Sequence, residues 1–261
     1  MVIKLVTSII DLSNVYKSYE RNNERHQVIK NISFTVRKGE FVTLLGKSGC
    51  GKSSLLNLVG GFTFPDEGKV MVNGKVVTKP ERNCLILFQQ HNLLPWRTVL
   101  DNVVLGLSDD RKLNRERAIE SLEFVGLEAY LTNYPHELSG GMQQRVAIAR
   151  AFAMQPDVIL MDEPFAALDT FNRYHLQDEL IRLQEQEQLT ILLVTHDIDE
   201  AVYLSDRILI MSSNPGEIYQ SVKIDLPKPR NRSHDDFHFY RSKIFEKFKL
   251  SSEVKKPEYF I

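Results

Sequence analysis

The chain has 261 residues, room for one large domain or for one domain carrying a sizeable insertion. Hydrophobic residues make up 43% and charged residues 26%, which suits a globular chain with a real core and excludes disorder as its main state. With 33 basic against 34 acidic residues the net charge is -1, so no global electrostatic case for nucleic acid follows.

Two cysteines, Cys50 and Cys84, are too few for a disulfide framework and fit a reducing compartment; Cys84 reads as core. The apolar start, Met1 to Ile10, lacks a basic segment and a small-residue cleavage site, so it reads as a strand and not as a signal peptide. No apolar run approaches the roughly 18 residues of a spanning helix, so at a membrane other chains would have to hold this one.

Ile9 to Tyr16 and Val28 to Val36 are rich in β-branched and aromatic residues and predict strands, with a polar turn between them. Phe41 to Leu45 is a short apolar run, a buried strand that ends in a glycine-rich loop. A helix is expected over Lys52 to Val59, stopped by Gly60-Gly61. Asn73-Gly74 after Met71-Val72 is a hairpin turn signal, and Leu85 to Phe88 predicts another buried strand. The texture then changes. Helical periodicity runs through Arg115 to Val125 and resumes after Ser139, which marks a helical insertion at about 92–156. Strand returns at Val158 to Met161, followed by an amphipathic helix over Phe171 to Gln186 and a strand over Thr190 to Val194. A short helix over Ile198 to Leu204 and a last core strand over Arg207 to Met211 complete the pattern. Strands alternating with helices imply a parallel sheet with crossovers. Beyond residues 1–225 lies a tail, 226–261, read as a peripheral helix after Pro227-Lys228-Pro229-Arg230.

Three motifs carry chemistry. Gly46-Lys47-Ser48-Gly49-Cys50-Gly51-Lys52-Ser53 matches the phosphate-binding loop pattern between a predicted strand and helix. Glycines let the backbone wrap closely so that N–H groups point at phosphate oxygens, and the following helix adds its positive end. Lys52 can reach the β- and γ-phosphates of a nucleotide, Ser53 offers a hydroxyl to magnesium, and Ser54 completes the nucleotide-binding set. Second, Val158 to Met161 ends in Asp162-Glu163, two carboxylates at a strand's carboxyl edge. Asp162 would hold magnesium and Glu163 would polarise an attacking water. Third, Leu138-Ser139-Gly140-Gly141-Met142-Gln143-Gln144-Arg145 opens a helix with free N–H groups and a hydroxyl suited to an anion.

This third segment resembles the signature of ATP-binding cassette (ABC) proteins. The resemblance covers about residues 9–225. It implies an α/β fold: a P-loop NTPase core with a mixed sheet, an N-terminal antiparallel β subdomain and an inserted helical subdomain. It also implies ATP and Mg2+ as cofactors. Gln89 resembles the glutamine that contacts magnesium and senses the membrane partner, and Asp169, in Ala167-Leu168-Asp169, resembles the loop facing a second subunit. His196 resembles the switch histidine at the γ-phosphate. Tyr19 resembles the aromatic that stacks on adenine, with Tyr16 as the nearby alternative. In such proteins Ser139, Gly140, Gly141 and Gln143 of one chain would meet the nucleotide held by another. A second ATPase chain is therefore implied, with transmembrane permease subunits, a substrate-binding protein and no nucleic acid, at the cytoplasmic face of the cell membrane.

Leu93 to Val99, Glu163 to Asp169 and Asn214-Pro215-Gly216 further resemble the importer branch for nitrate, sulfonate, taurine or bicarbonate. Thiamine-precursor and amino-acid import stay open. Trp96, the only tryptophan, belongs either to a groove for a membrane partner or to the core of the insertion. Cys50 beside Lys52 has a setting that can lower a thiol pKa, with a plain filler role as the alternative. A soluble cassette ATPase of DNA repair or translation is the rival class, but such chains usually carry two cassettes or a long coiled-coil insertion. A binding module without catalysis need not keep both Glu163 and His196.

Overall fold

A computed structural model of the chain describes residues 8–21, 23–88, 90–105, 107 and 111–253. In chain order its elements begin with β1 (Ser8–Arg21), β2 (Glu24–Arg37), β3 (Phe41–Leu45), α1 (Lys52–Val59), β4 (Glu67–Val72), β5 (Lys75–Val76) and β6 (Cys84–Leu87). The middle holds α2 (Val99–Val104), α3 (Arg111–Phe124), two short 3-10 turns, α4 (Gly140–Ala153), β7 (Val158–Asp162) and α5 (Thr170–Glu187). Last come β8 (Thr190–Thr195), α6 (Ile198–Leu204), β9 (Arg207–Met211), β10 (Ile218–Lys223) and α7 (Asp235–Glu253). Among the described residues no helix is long and apolar enough to cross a membrane.

These elements form two compact units. The first contains an antiparallel sheet in the order β2-β1-β4-β5, closed at one end by the Asn73-Gly74 turn, where both residues take positive φ. Ile32, Phe34 and Val36 of β2 alternate inward with exposed neighbours. The same unit holds strands β10-β9-β3-β8. Here β3 runs parallel to β8 and β9, and β10 runs antiparallel to β9, so the sheet is mixed as expected. Every residue of β3 and of β8 is buried, the continuous pattern of strands covered on both faces. α6 and α7 pack on each other, and α7 lies on β9 and β10.

The second unit joins β6 and β7 as a parallel pair, with Cys84 opposite Val158, to the helices α2, α3 and α4, which pack mutually. Val99, Val103, Ala118, Leu122, Val146 and Ala149 form its core. Burying one such large apolar side chain contributes about 1.5–3 kcal/mol. Phe124 meets Phe152 edge-to-face, with ring centroids 5.7 Å apart.

The structure departs from the sequence reading in several places. β1 and β2 extend past the predicted ends, because Glu20 pairs with Arg25 and Arg21 with Glu24 across the turn. Arg207–Met211 is not the last strand. β10 follows it as an edge strand with only Val222 buried, so its apolar signal is weak. The predicted strand over Leu85 to Phe88 slides to Cys84–Leu87 and leaves Phe88 exposed. α3 begins at Arg111, four residues before its periodicity shows. Met1 to Thr7 and Gln89 lie outside the described residues.

Candidate nucleotide site

In the first unit, β3 ends at Leu45 and α1 starts at Lys52, so the residues between them make the turn the glycine spacing demands. Gly51 is the N-cap of α1 with φ of 97°, a conformation L side chains rarely adopt, and no side chain caps the helix. Its first-turn N–H groups are therefore not claimed by a cap, which is the arrangement that receives an anion. Lys47, Ser48, Gly49 and Ser53 are exposed and Ser54 is half-buried, whereas Gly46 and Lys52 are buried. Lys52 Nζ donates to the carbonyls of Gly46 (2.8 Å) and Lys47 (3.0 Å), which folds its side chain back across the loop.

Sequence reasoning missed a support for this loop. A Cβ on Gly216 would lie 2.1 Å from the Cys50 carbonyl oxygen and 3.1 Å from that of Val28, so only glycine fits there. Gly216 N donates to Val28 O (2.8 Å), and Gly216 O accepts from Lys30 N (3.0 Å), which stitches the segment after β9 to β2. The Asn214-Pro215-Gly216 run entered the sequence reading only through its resemblance to an importer branch, and its contact with the loop could be seen only in three dimensions.

Cys50 is a correction. It is 1% exposed, and burial pushes its thiol pKa up; Lys52 acts in the opposite direction but less strongly. The setting expected to activate this thiol instead suppresses it.

His196 is exposed and follows β8 directly. Its flanks are tied into one network. Thr195 Oγ1 donates to Glu200 Oε2 (2.8 Å) and accepts from Asp197 N (3.0 Å). Asp197 Oδ1 caps α6 by accepting from the N–H groups of Asp199 (2.8 Å) and Glu200 (3.1 Å). Tyr19, on β1, is exposed and carries Lys17 Nζ 5.4 Å from its ring centroid, while Tyr16 is half-buried.

In the second unit, β7 delivers Asp162 and Glu163, both half-buried. Glu163 holds φ at 47°, a left-handed conformation uncommon for a residue with a Cβ, of the kind that clusters at functional sites. Glu163 lines a cavity of about 380 Å³ with Gln90, His91, Gln144, Ala166 and Ala167. His91 Nδ1 is hydrogen-bonded to Gln144 Oε1 (2.5 Å), and Arg150 donates to the carbonyls of His91 (3.1 Å) and Asn92 (3.0 Å). The residues just past Gln89 are thus anchored to α4.

Ser139 is the N-cap of α4, its hydroxyl accepting from Met142 N at 3.3 Å. Ser139 and Gly140 are exposed, and Gly141 is half-buried. Gln143 turns away from this end, since its amide donates to the carbonyls of Pro135 (2.9 Å) and Leu138 (3.3 Å). Asp169 caps α5, accepting from Asn172 N (3.0 Å) and Asn172 Nδ2 (2.6 Å), and these bonds from Asn172 lower its pKa. Arg173 Nη2 donates back to Leu168 O at 3.2 Å. Ser139, Gly140 and Asp169 are all exposed at helix N-termini of one unit.

A second missed residue is Asn102, on α2. Its side chain is fully buried and holds the preceding loop together. Asn102 Oδ1 accepts from Leu94 N (2.8 Å), and Nδ2 donates to the carbonyls of Leu94 (3.1 Å), Arg97 (3.1 Å) and Thr98 (3.0 Å). The loop so fixed presents Trp96 at 71% exposure, which removes the core alternative for that residue.

Residues 29–166 match the ABC transporter family. The aliphatic sulfonates import ATP-binding protein SsuB of Bacillus cereus is 44% identical over 246 residues, covering 94% of this chain and 98% of that protein. The nitrate import ATP-binding protein NrtC of Synechococcus elongatus is 45% identical over 210 residues, covering 78% of this chain and 32% of that longer protein. Among solved structures, the dimeric post-hydrolysis state of the ATP-binding cassette MJ0796 bound to ADP and Pi superposes with a TM-score of 0.76 at 35% identity, covering 84% of this chain and all of that one.

Proposed function

The chain belongs to the ABC transporter family, and on that premise we propose that it is the ATP-hydrolysing subunit of an importer for a small anion, working as a pair around two ATP molecules. The observation that carries the substrate class is similarity along nearly the whole of both chains to a sulfonate-import ATP-binding protein. An aliphatic sulfonate is the first choice, and nitrate, from the NrtC likeness, the second.

Residues 1–225 form the ATPase domain in this reading, with the helical insertion at about 92–156 and 226–261 as a tail. The loop from Gly46 to Ser53, with Ser54 behind it, wraps the phosphates, and Lys52 exchanges its two carbonyl acceptors for β- and γ-phosphate oxygens. Tyr19 stacks on adenine. The Ser53 hydroxyl, the Asp162 carboxylate and the Gln89 amide oxygen are hard oxygen donors of the kind magnesium takes. These residues would hold Mg2+, which would supply charge neutralisation to the β- and γ-phosphates. Glu163 accepts a proton from the attacking water, and His196 contacts the γ-phosphate. Ser139, Gly140 and Gly141, with Gln143 buttressing their helix start, bind the γ-phosphate of the partner's nucleotide, and Asp169 faces that partner. ATP favours the closed pair because its γ-phosphate gains contacts only there, which is the differential affinity a switch requires. Permease chains at the cytoplasmic face of the membrane receive the motion through the loop bearing Trp96, and a binding protein delivers substrate.

The test is uptake. In cells lacking their own sulfonate-import ATPase, the chain expressed with its permease should restore growth on an aliphatic sulfonate as sole sulfur source. Growth restored on nitrate in the equivalent nitrate strain, and not on sulfonate, moves the assignment to nitrate.

A further inference from the structure

We propose that Arg230 and Arg232, with Phe237 and Arg241 of α7, clamp α6 and, through α6, position His196. This rests on His196 acting at the γ-phosphate.

α6 has seven residues and is about 10 Å long, too short to hold its own shape or direction. It nevertheless sets where His196 stands. Thr195 and Asp197, on either side of the histidine, both bond to the first turn of α6, and Glu200 is buried where it receives the Thr195 hydroxyl. A shift or tilt of α6 therefore carries the His196 backbone with it.

The tail grips this helix at both ends. Arg230 Nη1 donates to the carbonyls of Val202 and Tyr203 (3.0 Å to the latter), in the last turn of α6. A guanidinium there satisfies carbonyls that have no partner within the helix and meets the negative end of the helix dipole. Arg230 Nε and Nη2 donate to Leu226 O (3.3 and 3.2 Å), which binds the clamp to itself. Arg230 is only 6% exposed, and burial lowers its pKa to about 10, so it stays charged at neutral pH. Arg232 lies 3.3 Å from the Tyr203 ring centroid, and Phe237 of α7 meets the same ring edge-on with centroids 6.5 Å apart. At the other end, Arg241 Nε of α7 donates to Asp199 Oδ1 at 2.6 Å, in the first turn of α6. The neighbouring Lys228 grips elsewhere. It pairs with Asp206 (2.8 Å) and sits 5.4 Å from the Phe41 ring centroid. It belongs to the same segment and serves as an internal control.

The experiment measures steady-state ATP hydrolysis and, separately, ATP affinity for the full-length chain. Arg230→Met should lower kcat by about tenfold while leaving the ATP Kd within about twofold, because the histidine is misplaced and the phosphate loop is not. Arg241→Glu, a surface change that spares the core, should lower kcat in the same sense, and adding Asp199→Arg should recover part of the loss. Lys228→Met should lower the thermal midpoint and leave kcat as it was. In a His196→Ala background, Arg230→Met should cost nothing further, since the residue it positions is gone. A full additional loss in that background, or an equal fall in kcat from Lys228→Met, overturns the clamp while leaving the site standing. If His196→Ala itself leaves kcat unchanged, the role given to His196 fails and the clamp fails with it.

Discussion

Replacing Asn102 by alanine isolates the smallest feature that shapes the surface around Trp96. The substitution removes one acceptor, used by Leu94 N, and an amide shared among three carbonyls. Two of those carbonyls keep another partner, since Leu94 O also accepts from Arg97 N (3.1 Å) and Thr98 O from Asn102 N (2.9 Å). The main cost is then one orphaned N–H, at about 1–3 kcal/mol, with about 1 kcal/mol more for Arg97 O and the small void. The sum is about 2–4 kcal/mol. Urea denaturation followed through Trp96, the only tryptophan, should show the midpoint lowered by about 1 M. Asn102→Asp keeps the acceptor but turns a carboxylate oxygen toward carbonyls, so it should cost at least as much at neutral pH. A midpoint moved by less than about 0.3 M, with Trp96 emission unchanged, would refute the role given to the Asn102 amide.

Gly216→Ala places a Cβ against the Cys50 and Val28 carbonyl oxygens, so the phosphate loop must shift. A fluorescent-nucleotide titration should show ATP affinity lower by about tenfold or more. Cys50 should react slowly with iodoacetamide at pH 7. Its raised pKa means that labelling accelerates only as the pH passes the ordinary thiol range, and bound ATP should protect it; fast labelling at neutral pH contradicts the burial. Glu163→Gln should cut turnover by about a hundredfold or more while ATP binding persists, and stopped-assay kinetics with a separate binding isotherm distinguish the two.

The glycine-rich turn between β3 and α1 and the acidic end of β7 were legible because local spacing dictates them. A backbone that wraps phosphate needs glycines at fixed intervals, and a buried strand that ends in Asp162-Glu163 advertises its own edge. The fold class followed from the alternation of short strands with amphipathic helices, the strands being largely apolar, as in Thr190–Thr195, where only the terminal threonines are polar. Asn102, Gly216 and Arg230 could not be found in this way. Each owes its role to backbone carbonyls brought close by folding, and no residue pattern records where a carbonyl will lie. Arg230 entered the reading only as the end of Pro227-Lys228-Pro229-Arg230, and Asn102 drew no reading at all. Cys50 misled for a related reason: its neighbour in sequence, Lys52, suggested a lowered pKa, whereas burial, a tertiary property, acts more strongly and in the opposite direction. β10 was missed because an edge strand needs only one apolar face, and here that face reduces to Val222.

Everything proposed about catalysis depends on one chain's Ser139-Gly140 helix start completing a nucleotide pocket built on another chain's phosphate loop. Specific ATPase activity of the purified chain, followed across dilution with its association state measured by sedimentation in the same buffer, addresses this most directly. Activity per molecule should collapse as the chain passes from dimer to monomer. Constant activity per molecule in a preparation that sediments wholly as monomer rules the shared pocket out.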